Sequence, residues 1–90
     1  MPVNVIYNKK FLKDLALLPS KQRIKVEKLV FQEIPAYEHL SEIKNLKKLQ
    51  GYELYFRIRV GDYRIGLKIE NQNLVFERIL HRKDIYNLFP

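Results

Sequence analysis

The stretch LYFRIRVGDYRIGLKI, residues 54 to 69, alternates apolar with polar, mostly basic side chains on both sides of a central Gly61-Asp62. Two period-two runs separated by Gly and a turn-forming residue specify a β-hairpin with a two-residue loop, glycine taking the first central position of a type II′ turn. That turn fixes the register. With Val60 and Tyr63 flanking it, Arg59 lies opposite Arg64, Ile58 opposite Ile65, Arg57 opposite Gly66 and Phe56 opposite Leu67. Leu54, Phe56, Ile58 and Val60 then share a face with Tyr63, Ile65, Leu67 and Ile69, while Tyr55, Arg57, Arg59, Arg64 and Lys68 share the other. A chain committed to this hairpin must cover one face with an apolar layer and manage a surplus of positive charge on the other.

The apolar layer is expected from the N-terminal half. Pro2 to Tyr7 has the alternation of a short strand, and Asn8 is placed to cap a helix from Lys9 to Leu18 with Phe11, Leu12, Leu15 and Leu18 on one stripe. Pro19-Ser20 ends that helix and begins a second, capped by Ser20 and running to about Ile34, with Val26, Leu29, Val30 and Ile34 on one face. Pro35 stops it by disfavouring helical geometry at the preceding residue. From Ala36 to Gly51, Leu40, Ile43, Leu46 and Leu49 recur every three residues, which fits either a short helix or an irregular segment laid on the core. A third late strand, Asn73 to Arg82, and a last turn or two of helix at Lys83 to Leu88 complete the order β-α-α-β-β-β-α. Strands clustered late with a helical pair early give an α+β sandwich, helices over one face of a small, mainly antiparallel sheet. The loop before the last strand decides what joins the basic face: a three-residue loop Asn71-Gln72-Asn73 places Arg78 and Arg82 there and turns Glu77 and His81 toward the helices, whereas a two-residue loop reverses this.

Ninety residues suffice for one domain, residues 1 to 90, and 47% hydrophobic content is too high for a disordered tail. Seventeen Lys and Arg against 10 Asp and Glu give a net charge of +7, which favours a polyanion or an acidic protein as partner. The absence of cysteine removes disulfides and thiolate metal sites and fits a reducing, cytoplasmic setting. No long apolar run and no charged-then-apolar leader is present, so neither export nor membrane insertion is expected.

Like charges directly opposite on a sheet, as at Arg59 and Arg64, are unfavourable by some tenths of a kcal/mol or more. Either the long side chains splay apart in water or meet carboxylates from elsewhere, or the face is an anion site in which guanidinium forks meet phosphate oxygens, with Gly66 leaving room above Arg57. No helical pair of His with Asp or Glu suggests a metal site, and no phosphate loop, serine nucleophile elbow or paired carboxylates stand out. Arginines, one histidine and one tyrosine suit RNA cleavage by the substrate's own 2′-hydroxyl. Arginine answers the charge that develops on the phosphoryl oxygens, but it is a poor base, so His81 is the residue best suited by chemistry to move a proton. Tyr86 can stack on a base or donate to a phosphate. His39 and the pairs Lys9-Lys10 and Lys47-Lys48 are taken as solvated surface.

The run RIRVGDYRIG, followed at strand spacing by ILHRKDIY, together with FLKDLALLP near the start and NLKKLQG before the hairpin, resembles the RelE branch of the RelE/ParE toxin superfamily over nearly the whole chain. The resemblance implies the microRNase-like fold and a type II toxin-antitoxin pair in which an acidic-tailed antitoxin wraps and neutralises the toxin. RelE-like toxins cut mRNA in the ribosomal A site without a metal or other cofactor. By position, Arg57 and Arg59 stand where the family places basic residues, often lysines; Arg64 matches the arginine of the YRI segment, Arg82 the late basic residue and Tyr86 the C-terminal tyrosine. Arginine in place of a family lysine raises the weight of His81, or of Lys83, as proton acceptor. The ParE branch implies instead a gyrase poison that usually lacks this full set, and a non-catalytic RNA- or ribosome-binding relic is the third alternative. The antitoxin is expected to cover the basic face or to displace the C-terminal segment, where Leu88 and Phe89 need cover.

Overall fold

A computed structural model describes residues 3–90. Its sheet has five strands in the order β1-β5-β4-β3-β2: β1 (Asn4–Tyr7), β2 (Leu46–Lys48), β3 (Tyr55–Val60), β4 (Tyr63–Glu70) and β5 (Asn73–His81). Only β1 and β5 run parallel. The expected start of the first strand at Pro2 lies outside the described residues.

Helix α1 (Lys9–Ala16) begins where the Asn8 side-chain oxygen accepts the Phe11 N–H at 2.9 Å. It buries Phe11 and Leu15 against β5, where the Phe11 and Phe76 rings stack at 5.3 Å and Tyr7 stacks on Phe76 at 5.6 Å. Helix α2 (Ser20–Glu27) starts one residue earlier than its expected cap: Pro19 holds the N-cap position and Ser20 is already helical. Past Glu27 the helix widens into a π-helical stretch, Lys28–Glu33, and closes with a single turn, α3 (Ile34–Ala36). The widening explains how Pro35 fits inside it. Proline brings no N–H, and the Val30 carbonyl that a π register would offer it is taken by the Tyr7 hydroxyl instead. Val26, Val30 and Ile34, at helical spacing, are fully buried.

The segment after Ala36 is a 3-10 turn, Leu40–Glu42, followed by β2, an edge strand that the three-residue periodicity did not suggest. A helix would have put its four apolar residues on one side. Left-handed backbone at Asn45 (φ 63°) and Gly51 (φ 86°) breaks that path, so Ile43 and Leu46 join the main core while Leu49 is buried on the opposite face of the sheet.

The β3-β4 hairpin has the register its turn dictates, Arg59 against Arg64 and Arg57 against Gly66, with Gly61 at φ 57°. The β4-β5 connection differs from expectation: it is a two-residue turn, Asn71-Gln72, with Asn71 left-handed at φ 58°. By itself this would send Arg82 to the helix side, but an extra residue, Glu77, bulges between the pairs Leu67–Phe76 and Gly66–Arg78 and restores the alternation. Burial explains the choice. A three-residue loop without the bulge would direct Val75 and the Glu77 carboxylate into the core, whereas the observed path buries Leu74 and Phe76 completely and leaves Glu77 half-buried.

Helix α4 (Ile85–Leu88) crosses to the other face of the sheet, where Ile85, Phe89 and Leu49 form a second small core with Tyr55 and Leu80. This is the face that carries the arginines.

Candidate nucleic-acid interface

The hairpin tip places Arg59 and Arg64 side by side. The Arg64 guanidinium folds back over the turn and donates to the Gly61 carbonyl at 2.8 Å and the Tyr63 carbonyl at 3.0 Å. Arg82 arrives beside the same turn because its backbone N–H donates to the Asp62 carbonyl at 2.8 Å. Its Nε lies 3.7 Å from the Asp62 carboxylate, and both side chains are more than half exposed, so this ion pair screens little of the charge. Partial burial lowers the proton affinity of Arg64; Arg57, Arg59 and Arg82 lower it further, and an ionised Tyr86 would act in the opposite sense. Arg64 remains a cation at neutral pH, and its neighbours place Arg57, Arg59, Arg82 and Tyr86 within electrostatic reach of one point on the sheet.

The adjacent row runs Lys47, Arg57, Gly66, Arg78 across four strands. Gly66 does not leave space for an anion above Arg57, as the sequence suggested. That space holds the Phe89 ring, 2.7 Å from where a Cβ on residue 66 would stand. An open recess of about 240 Å³ lies next to it, lined by Lys47, Lys48, Leu49, Gln50, Arg57 and Tyr86. Arg78 is withdrawn from the basic face despite its register: Nε and Nη2 donate to the Asp14 carboxylate at 2.7 and 3.2 Å, which raises its proton affinity. Asp14 also accepts the Ile79 N–H at 3.1 Å, closing a stretch of the β5 edge that β1 is too short to cover.

His81 stands apart. It pairs across the sheet with Tyr63 on the helix side, edge-on at 5.6 Å between ring centroids, and its Nδ1 accepts the Lys83 N–H at 3.2 Å. The structure therefore brings together Arg57, Arg59, Arg64, Arg82 and Tyr86, and leaves His81 across the sheet from them. Lys47, read from sequence as solvated surface, joins the group, and the only sequence signal for it was the strand β2 concealed within a three-residue repeat. A larger recess of about 380 Å³ opens on the helix side, floored by Leu29, Ile58 and Val60, and shares only Arg59 with the basic cluster. Among the described residues no three His, Cys, Asp or Glu side chains gather as metal ligands, and no helix is long and apolar enough to cross a membrane.

Residues 5–86 match the family described as "ParE toxin of type II toxin-antitoxin system, parDE". Toxin RelE3 of Methanocaldococcus jannaschii is 42% identical over 89 residues, spanning 98% of this chain and 100% of that relative. The chain belongs to the RelE-like toxins of the type II toxin-antitoxin superfamily. In shape, the toxin is similar to a chain of the RelB-RelE antitoxin-toxin complex from Methanococcus jannaschii, with a TM-score of 0.79 and 41% identity over 94% of this chain and 99% of the other. A chain of the archaeal RelE-RelB complex from Pyrococcus horikoshii gives a TM-score of 0.69 at 26% identity, covering 94% and 100%. A mutant of the E. coli toxin RelE in the free state shares the fold alone, at 16% identity and a TM-score of 0.67 over 96% and 90%. The toxin thus has the α+β fold that its sequence resemblance implied, with one strand more than the expected order.

Proposed function

We propose that this toxin is an endoribonuclease that cuts mRNA in the ribosomal A site, the substrate's 2′-hydroxyl attacking the adjacent phosphorus. The observation that carries this reading is the convergence of Arg57, Arg59, Arg64 and Arg82 with Tyr86 on one face of the sheet. Arg59 and Arg64 repel each other directly across the hairpin, and a bound phosphate removes that repulsion. Negative charge grows on the phosphoryl oxygens as the pentavalent transition state forms, so fixed guanidinium groups stabilise it more than the ground state. In this reading Arg57, Arg59, Arg64 and Arg82 hold the scissile phosphate, and Tyr86, 60% exposed, stacks on a flanking base or donates to a phosphate oxygen. The reaction calls on no metal, because guanidinium groups supply the charge that a metal would.

The partner is a cognate antitoxin, as in the RelB-RelE complexes of the relatives, acting in the cytoplasm. An acidic or amphipathic segment of it covers the basic face or displaces residues 85 to 90. A complex that left Arg59 and Arg64 solvent-exposed and the C-terminal segment in place would contradict this.

The test is to incubate purified toxin with programmed ribosomes and map mRNA ends by primer extension. Cleavage at the A-site codon is expected for the wild type, with a loss of about 100-fold or more for Arg64→Ala, on the order of what one oxyanion-stabilising group supplies. No A-site cleavage by the wild type overturns the reading. The family description as a ParE toxin favours a second reading, a gyrase inhibitor without nuclease activity. Loss of gyrase supercoiling with translation intact would establish that one, and salt-sensitive RNA binding without cleavage would mark a non-catalytic relic.

A further inference from the structure

Every basic residue at the hairpin tip is arginine, a guanidinium stays protonated far above neutral pH, and the one carboxylate there, Asp62, faces Arg82 at 3.7 Å and does not line the recess, so the proton acceptor is sought on another element. His81 is on the far side of the sheet with Nδ1 engaged by a backbone N–H. Lys68 shares the basic face but faces Glu70 at 3.8 Å. Lys83 sits in the exposed turn after β5 and does not line the recess. Lys48, which also lines the recess, lies 3.5 Å from Glu53, and its cross-strand partner is Phe56, not Arg57. Gln50 cannot take a proton, and a tyrosine phenol such as Tyr86 offers one instead of accepting it.

Lys47 is what remains, and its position suits the task. It pairs directly with Arg57 across β2 and β3, projects from the same face, and lines the recess together with Arg57 and Tyr86. It is exposed, and among the described residues it makes no ion pair. A lysine amine is neutral about 100 to 1,000 times more often than a guanidinium at a given pH, so it is the more competent base of the two types.

We propose that Lys47 is a catalytic residue, the acceptor of the 2′-hydroxyl proton. This rests on the RNA-cleavage reading above. The neutral Lys47 amine removes the proton from the 2′-oxygen; that oxygen forms a bond to phosphorus while the bond from phosphorus to the 5′-oxygen breaks. The departing 5′-oxygen takes a proton from water or from Tyr86, which recovers it from solvent, leaving a 2′,3′-cyclic phosphate and a 5′-hydroxyl, and Lys47 returns its proton to solvent.

The test compares wild-type toxin with Lys47→Arg on programmed ribosomes in single-turnover reactions. Lys47→Arg keeps the charge and is expected to bind a 2′-deoxy A-site codon as well as the wild type, within about twofold, while cleaving on the order of 100- to 10,000-fold more slowly. The deficit should persist on a substrate with a 5′-bridging sulfur, whose leaving group needs no proton. The chain has no cysteine, so Lys47→Cys alkylated with 2-bromoethylamine rebuilds one amine selectively and should restore cleavage. If the wild type cleaves and Lys47→Arg cleaves within about fivefold of it, the assignment to Lys47 is wrong while the nuclease reading stands. If the wild type does not cleave, the reading itself falls and this assignment with it.

Discussion

Arg59 and Arg64 face each other across a two-residue turn, and one of them is tied to the turn carbonyls while the other is free in solvent. Replacing the free one, Arg59→Gln, removes a like-charge pair and should raise the melting temperature by about 2 °C, while weakening RNA binding. Thermal denaturation and a binding titration on one preparation would show the two effects moving in opposite directions. The sign for Arg64 is consistent with this. Its folded-state proton affinity is lowered, so its charge opposes folding until pH rises through that lowered value or an anion binds. That value lies far above neutrality, so phosphate, not pH, is the practical lever, and phosphate should stabilise the wild type more than chloride does at equal ionic strength. The register at these residues was legible because a turn type fixes it locally. The purpose of Gly66 was not, since the Phe89 ring that needs the space comes from the far end of the chain. Gly66→Ala should therefore lower stability by about 1–3 kcal/mol in urea denaturation and loosen residues 85 to 90, detected by amide exchange.

At the scale of elements, the two N-terminal helices and three long strands follow from apolar periodicity, whereas β2 and the β5 bulge do not. Both escape local reading because burial on opposite faces decides them: Leu46 and Leu49 are only three apart, yet each feeds a different core. The bulge likewise trades one regular pair for the burial of Leu74 and Phe76 in place of a carboxylate. Asp14 is the fastening beside it, an acid on α1 that holds Arg78 and the open β5 edge together. The pair is mostly buried, with 13% and 21% side-chain exposure. Asp14→Ala leaves a mostly buried cation and an orphan N–H, and should cost about 3 kcal/mol in chemical denaturation. Its effect on cleavage should be small if Arg82 keeps its backbone bond to Asp62.

Over the whole molecule, a net charge of +7 is spread unevenly, with four arginines and Lys47 gathered on one face of the sheet beside α4. If these five groups each meet a phosphate of single-stranded RNA, the logarithm of the binding constant should fall with the logarithm of salt with a slope of about −3.5. Arg59→Gln should make that slope shallower by about 0.7, whereas Lys9→Gln, on the outer side of α1, should leave it unchanged. The sequence revealed the charge and its face but not its completeness, because the fifth cation sits on a strand too short to announce itself.

Phe89 seated over Gly66 also bears on how the protein can be handled. Any extension joined after Pro90 leaves the molecule from the basic face, a few residues from Tyr86 and the arginine rows. If this face is the RNA site proposed above, a purification handle or fluorophore attached there would compete with nucleic acid for its own carrier's surface, and an acidic one would mimic the proposed neutralising segment, so an apparently inactive preparation could owe its silence to the label.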